Sequence, residues 1–460
     1  MAVDTVIEGG TVVTADGMFE GGVAIDGESI VAVGNESAIP VADTTVDASG
    51  KLIMPGLVDP HVHIDHVPEN RAGTYEAETG AAAVGGVTTV IDFAWQGGDR
   101  RADDPEKSLL DGIEYKRAEG EDEGLVDFSV HGVLSREDPD ELDDLARAVE
   151  AGVTSFKMFM STYAVGVSNG FMNLAFEEIA DLDAVALCHT EDPSVCDAMA
   201  DRLKREGKGD PEFYPQSRPD YAEAMGAADA ARMATETGVK YYGVHTSCRM
   251  AAEELARFQD DGSRIRAETC THYTALDGTI HQEKGNLPLI APPLRTQEDI
   301  DAMFEYLRDR TLTVVSTDHS AYFREYKEVD NWWESPFGAT SLEYTLSVFH
   351  NEAVVKRDHS YPFLVEVMCT NPAETFGFPQ KGTLDPGTDA DVIVFDPEAT
   401  YTITHDMNVS NADYTMYDGR EVTGRVDHTF VRGDQVVKDG IVVGEPGHGE
   451  FIERELPDWG

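Results

Sequence analysis

The sequence predicts an α/β protein, a TIM-like (β/α)8 barrel with a small β-sandwich domain built from both termini. Three observations carry this. The middle of the chain alternates apolar strand-like runs with helical stretches, the order of a closed parallel barrel. Both ends carry short alternating runs with glycine turns at roughly ten-residue spacing, as in a small antiparallel sheet. The residues with ligand chemistry close several of the barrel runs, on the face where such barrels place their function.

Residues 5–17, 21–34 and 45–56 supply the N-terminal strands, and residues 389–396, 401–406, 425–440 and 441–444 the C-terminal ones. The eight barrel runs are residues 56–62, 87–94, 126–134, 153–160, 183–189, 239–245, 263–273 and 311–318. Helix-like stretches such as 139–152, 220–238 and 250–262 separate them. The expected organisation is therefore residues 1–53 and 371–460 as the two halves of the sandwich, with residues 54–370 as the barrel.

A chain of 460 residues is long enough for one large domain and a smaller one. Its charge is the unusual feature, with 87 acidic against 35 basic residues and a formal charge of −52. The acids are spread along the chain, which points to an acidic shell around an ordinary core. Such a shell repels itself and is tolerated when concentrated salt screens it, so a salt-rich cytoplasm is expected. Nucleic acid and anionic membrane are excluded as partners on the same ground. Five cysteines without CxxC spacing read as reduced, buried thiols. The start of the chain carries acids and glycines in place of a signal sequence, and no run is long and apolar enough to span a bilayer. The expectation is a soluble, cytoplasmic protein.

The ligand chemistry lies in His61 and His63 (GLVDPHVHID), Lys157 (SFKMFM), His189 (ALCHTED), His245 (GVHTS) and Asp318 (VVSTDHS). Each has an ordinary reading. An HxH pair also occurs as surface or core histidines, and single histidines that close strands are often structural. A lysine among Phe156, Met158 and Phe159 can be ion-paired or can snorkel to water. Asp318 can be a ligand, a general base or a helix cap. Taken in order, however, the six suit a two-metal hydrolytic centre, because imidazole and carboxylate are ordinary zinc ligands. Manganese or cobalt can occupy the same ligands. A neutral Lys157 amine could take up carbon dioxide, and the anionic carbamate could then bridge two metals. Asp59, just before the HxH pair, could orient a ligand from behind.

These residues, with their flanking stretches, resemble the cyclic amidohydrolases, specifically the hydantoinase and dihydropyrimidinase branch of the amidohydrolase superfamily. The resemblance runs over nearly the whole chain. It rests on PGLVDPHVHID (55–65), AAAVGGVTTVIDF (81–93), SFKMFM (155–160), SRPDYAEA (217–224), VHTS (244–247), APPLR (291–295) and STDH (316–319), and on residues 371–397 and 431–455. It implies two zinc ions per subunit. His61 and His63 would hold the more buried ion, His189 and His245 the more exposed one, and an N6-carboxylated Lys157 would bridge them. Asp318 would bind the first ion and shuttle a proton. The implied reaction is attack of a metal-bridging hydroxide on a ring amide carbonyl, which opens a dihydropyrimidine or hydantoin. Members are usually tetramers or dimers, with a tail that often packs on a neighbouring subunit.

The departures concern substrate recognition. The family's tyrosine five residues after the lysine is Thr162 here, so Tyr163 becomes the candidate oxyanion donor and substrate contact. Ala291 replaces the serine before the Pro-Pro pair, and Phe337 stands in a Pro-Phe-Gly where Pro-Asn-Gly is usual. Both would then contribute through backbone. The resemblance leaves allantoinase as the alternative, through residues 291–293 and GATSLEY (338–344). Dihydroorotase fits less well, because Asp65 stands where that branch has an arginine. A non-catalytic scaffold fits poorly, since those relatives lack several ligands that are all present here.

Overall fold

The protein is described here by a computed structural model covering residues 2–35, 37–64, 72–96, 107–161 and 165–460. Tyr163, Thr162 and Asp65 lie outside the described residues.

Each of the eight barrel runs contains a strand. The strands are Leu57–Asp59, Val87–Trp95, Asp127–Val133, Ser155–Met160, Val185–Thr190, Lys240–Gly243, Ile265–Cys270 and Val314–Ser316. Neighbours pair in parallel in that order. They are nearly wholly buried, which is why they read as continuous apolar runs rather than alternating ones. The first and last strands come together through short extensions, Val62–His63 and His319–Ser320, which pair in parallel with Ser320 opposite His63. The closure thus lies at the C-terminal rim, among the candidate ligands.

Helices between the strands begin where the sequence provides caps. Ser108 and Thr296 each form a reciprocal capping box, with Asp111 and Asp299 respectively. The helix Asp220–Thr237 buries a stripe that includes Ala227, Ala230, Ala231 and Ala234. Small residues there allow close approach to the adjoining helices.

The two termini merge. Leu52–Pro55 pairs in parallel with Val3–Thr14 on one side and antiparallel with Val392–Thr402 on the other, making one nine-stranded sheet. Its core mixes Ile7, Val23 and Ile53 with Val392, Val394 and Phe430, so each end buries strands contributed by the other. The C-terminal tail crosses the N-terminal end of this chain's own barrel. Phe128 N donates to Glu450 O, and Ile452 N to Phe128 O, as in an added parallel strand. Below the barrel, Lys381 pairs with Asp127, Asp389 and Asp391, and Arg432 also pairs with Asp127. No helix among the described residues is long and apolar enough to cross a membrane.

Candidate metal centre

All six candidate ligands line one cleft at the C-terminal rim. His61 and His63 follow the first strand, and their Nε2 atoms each lie 3.2 Å from Asp318 Oδ1. Donor atoms of these three residues fall within 4.8 Å of one another. His189 ends the fifth strand and His245 follows the sixth, with His189 Nδ1 3.0 Å from His245 Nε2. The ring of His245 is 5.3 Å from that of His61, so the two groups adjoin. Lys157 is buried on the fourth strand, its Nζ 5.2 Å from the Phe93 ring and 5.0 Å from the Phe159 ring.

Burial sets the protonation of these groups. It holds His61 and His245 well below the usual histidine range, with the Lys157 charge acting in the same direction. It lowers His189 as well, against the pull of Glu191. Neutral imidazole is the form that binds metal. Burial also pushes Lys157 down to about 8, although Asp318 and Glu268 favour its charge.

His61 Nδ1 donates to Glu268 Oε1 at 2.5 Å. Its lone pair is therefore on Nε2, which is buried and makes no hydrogen bond. A buried acceptor without a donor, beside a second imidazole and a carboxylate, fits a divalent cation. His245 and Asp318 adopt left-handed backbone, with φ of 38° and 47°. Non-glycine residues keep such values where the surroundings impose them, and this clusters at functional sites.

Most of the groups that aim the ligands leave little signal in the sequence. Glu268, on the seventh strand, accepts from the His61 ring, from His245 N at 3.0 Å and from Tyr242 OH at 2.9 Å. One carboxylate therefore ties both ligand groups together. Burial lifts it to about 7 even though those donors favour its charge. Glu191 accepts from His189 Nε2 at 2.8 Å and is paired with Arg218. A carboxylate inside the strand sequence IRAETC, and another two residues after His189, were the available signals. Asp59 does act behind the HxH pair, but on backbone, accepting from His61 N at 3.1 Å and Thr317 N at 3.3 Å. The buried pair Lys116–Asp92 fixes the next residue, since Asp92 accepts from Ile64 N and Lys116 donates to Ile64 O.

Ala291 and Phe337 both line the cleft, as does Gly338. Their segments are held by Lys327, which is fully buried and donates to Leu289 O at 2.9 Å, Pro336 O at 2.8 Å and Gly338 O at 2.7 Å. Gly338, at φ 130°, has no room for a side chain, because a Cβ there would lie 2.7 Å from Ser320.

The pattern of the amidohydrolase family matches residues 52–436. The chain belongs to that family. It is 34% identical to a D-hydantoinase of Streptomyces coelicolor, over 99% of this chain and 98% of the relative. An allantoinase of Salmonella choleraesuis is 30% identical over 98% of this chain and 99% of its own. Among solved structures, a dihydropyrimidinase from Brevibacillus agri superposes with a TM-score of 0.91 at 28% identity, covering 99% of each chain. The amidohydrolase family is metal-dependent, and the His61–His63–Asp318 group is a cluster that could hold a metal.

Proposed function

We propose that this protein opens the ring of a small cyclic amide, a dihydropyrimidine or a hydantoin. Two zinc ions would be held by His61, His63, His189, His245 and Asp318, with N6-carboxylated Lys157 between them; manganese or cobalt are the other candidates. The observation that carries the reading is the convergence of all six residues on one cleft, with burial holding His61, His189 and His245 below the usual histidine range. The lowered amine of Lys157 supports carboxylation, because only the uncharged form reacts with carbon dioxide. When bound, such ions polarise a carbonyl oxygen and supply hydroxide at neutral pH.

The protein's own groups do the rest. Asp318 accepts the proton of the attacking oxygen on a carboxylate oxygen and delivers it to the leaving ring nitrogen. Backbone at Ala291 and Phe337 holds the imide edge of the ring, and the Tyr163 hydroxyl donates to the developing oxyanion. Trp95, Phe159 and Phe337 around the cleft keep bulk water from the reacting bond.

Allantoin is the second candidate substrate, supported by GATSLEY (338–344) and by the allantoinase relatives. Ring opening of dihydrouracil, hydantoin, allantoin and dihydroorotate, measured side by side in molar KCl with zinc and bicarbonate, separates the readings. Turnover of dihydrouracil or hydantoin is expected, and preference for allantoin would move the protein to the other branch. Asp318→Ala is expected to abolish turnover while the fold persists. If no parent turnover exists to lose, the scaffold reading replaces the enzymatic one.

The working environment belongs to the same proposal: a salt-rich cytosol, screening a charge of −52, and a homotetramer or dimer. Leu174, Tyr221, Met225 and Met250 are exposed on three helices that pack together, which supports self-association. Equal stability in dilute buffer and in molar KCl would remove the salt argument.

A further inference from the structure

The C-terminal tail ends in an unusual burial. Arg454 is 4% exposed at the floor of the barrel. Its Nε donates to Ser129 Oγ at 2.9 Å, one terminal nitrogen to Val130 O at 2.6 Å and the other to Ser155 Oγ at 2.8 Å. The fold makes room for this segment. Gly152, at φ 79°, would place a Cβ 2.5 Å from Glu453 Cα, and a Cβ on Gly377 would meet Glu455 O. Arg454 N donates to Gly152 O and Glu455 N to Gly377 O, which pins the segment on both sides.

Ser155 passes the contact upward. Its Oγ is 2.6 Å from His131 Nδ1, and His131 Nε2 is 2.9 Å from Pro60 O. A carbonyl only accepts, so Nε2 carries the His131 proton. Burial, with Arg454 adding to it, keeps the ring uncharged, so Nδ1 accepts from the Ser155 hydroxyl. Ser155 Oγ in turn accepts from Arg454. The donors thus run in one direction, from Arg454 through Ser155 and His131 to the carbonyl of Pro60, the residue bonded to His61. The His131 ring also lies 5.0 Å from Phe93, which stacks on His63 at 4.5 Å.

We propose that Arg454 is a positioning residue for the metal centre: through the Ser155–His131–Pro60 line, the C-terminal tail sets the placement of His61. This rests on the reading of His61 as a metal ligand. The line acts on affinity because a ligand held in its binding orientation has less freedom to lose when the ion arrives.

The test is competitive titration of the metal-stripped full-length protein with Zn2+ against a chromophoric chelator, with thermal unfolding recorded in parallel. Ser155→Ala breaks the line at its middle, and Arg454→Met at its origin. Ser129→Ala removes an Arg454 contact outside the line. Zinc affinity is expected to fall about tenfold in Ser155→Ala and Arg454→Met and to stay at the parent value in Ser129→Ala. The double variant Ser155→Ala/Arg454→Met should bind no more weakly than either single variant. If Ser155→Ala binds zinc like the parent, or if Ser129→Ala weakens it equally, the tail is merely structural and the proposal fails. Should Arg454→Met not fold, the contrast between the two serine variants still decides. A parent protein that takes up no zinc overturns the metal reading itself, and this inference with it.

Discussion

The two ends of the barrel bury charge in opposite ways. At the floor, Asp127, Lys381, Asp391 and Arg432 are each below 10% exposed, and each has partners of opposite charge or backbone donors. Although burial alone would lower Lys381, its neighbouring carboxylates Asp391 and Asp389 outweigh that and raise it. At the rim, burial wins at His61, His245, Asp59 and Glu268, whereas Arg218 holds Glu191 down. Burial holds His61 and His245 well below the usual histidine range and lifts Asp59 and Glu268 to about 7, and His61 Nε2 has no donor. Burial is similar at both ends, so partnering makes the difference. Those four floor groups are charge-paired within the chain, whereas the rim leaves His61 Nε2 beside a second imidazole and a carboxylate with no donor, an arrangement that suits a cation.

Metal removal should break the comparison most sharply. Stripping with a chelator is expected to lower turnover by on the order of a thousandfold or more, with circular dichroism unchanged and activity restored by zinc. Turnover that survives complete stripping would mean the rim needs no added cation. The floor should respond in the opposite sense. Asp127→Asn leaves Lys381 and Arg432 short of charge, so denaturant unfolding should show a loss of about 3–5 kcal/mol while kcat and KM stay within about twofold.

Lys327 sharpens the picture within the rim. Lys327→Met frees three carbonyls behind the Ala291 and Phe337 segments, and KM should rise about tenfold with a smaller change in kcat. An unchanged KM would show that these segments hold themselves in place. The smallest effect is confined to acid. Burial alone would raise Glu191, but Arg218 and His189 outweigh it and hold the carboxyl at about 2, against an ordinary 4.5. A depressed carboxyl adds stability that is present above the ordinary value and lost as pH falls through the folded one. The stability gap between the parent and Glu191→Gln should therefore shrink between pH 4.5 and 2, as followed by unfolding across that range.

Much of this molecule is legible one segment at a time. Strand-length apolar runs and the helical stretches between them depend on residues close in sequence, so period and propensity disclose them. The HxH pair, Lys157, His189, His245 and Asp318 could be picked out because each closes or lies within such a run, and the barrel brings strand ends to one face. Tyr163 follows instead from the family resemblance, beside the shifted Thr162, and lies outside the described residues. What the sequence alone did not disclose is partner choice. Glu268 reaches His61 across 207 residues, and Arg454 reaches Ser155 across 299. The closing pair of the barrel and the merged terminal sheet are equally remote in sequence. Such pairings leave no local periodicity behind. They are selected when the closed barrel removes water from groups that must then find donors or acceptors among whatever the topology has placed beside them.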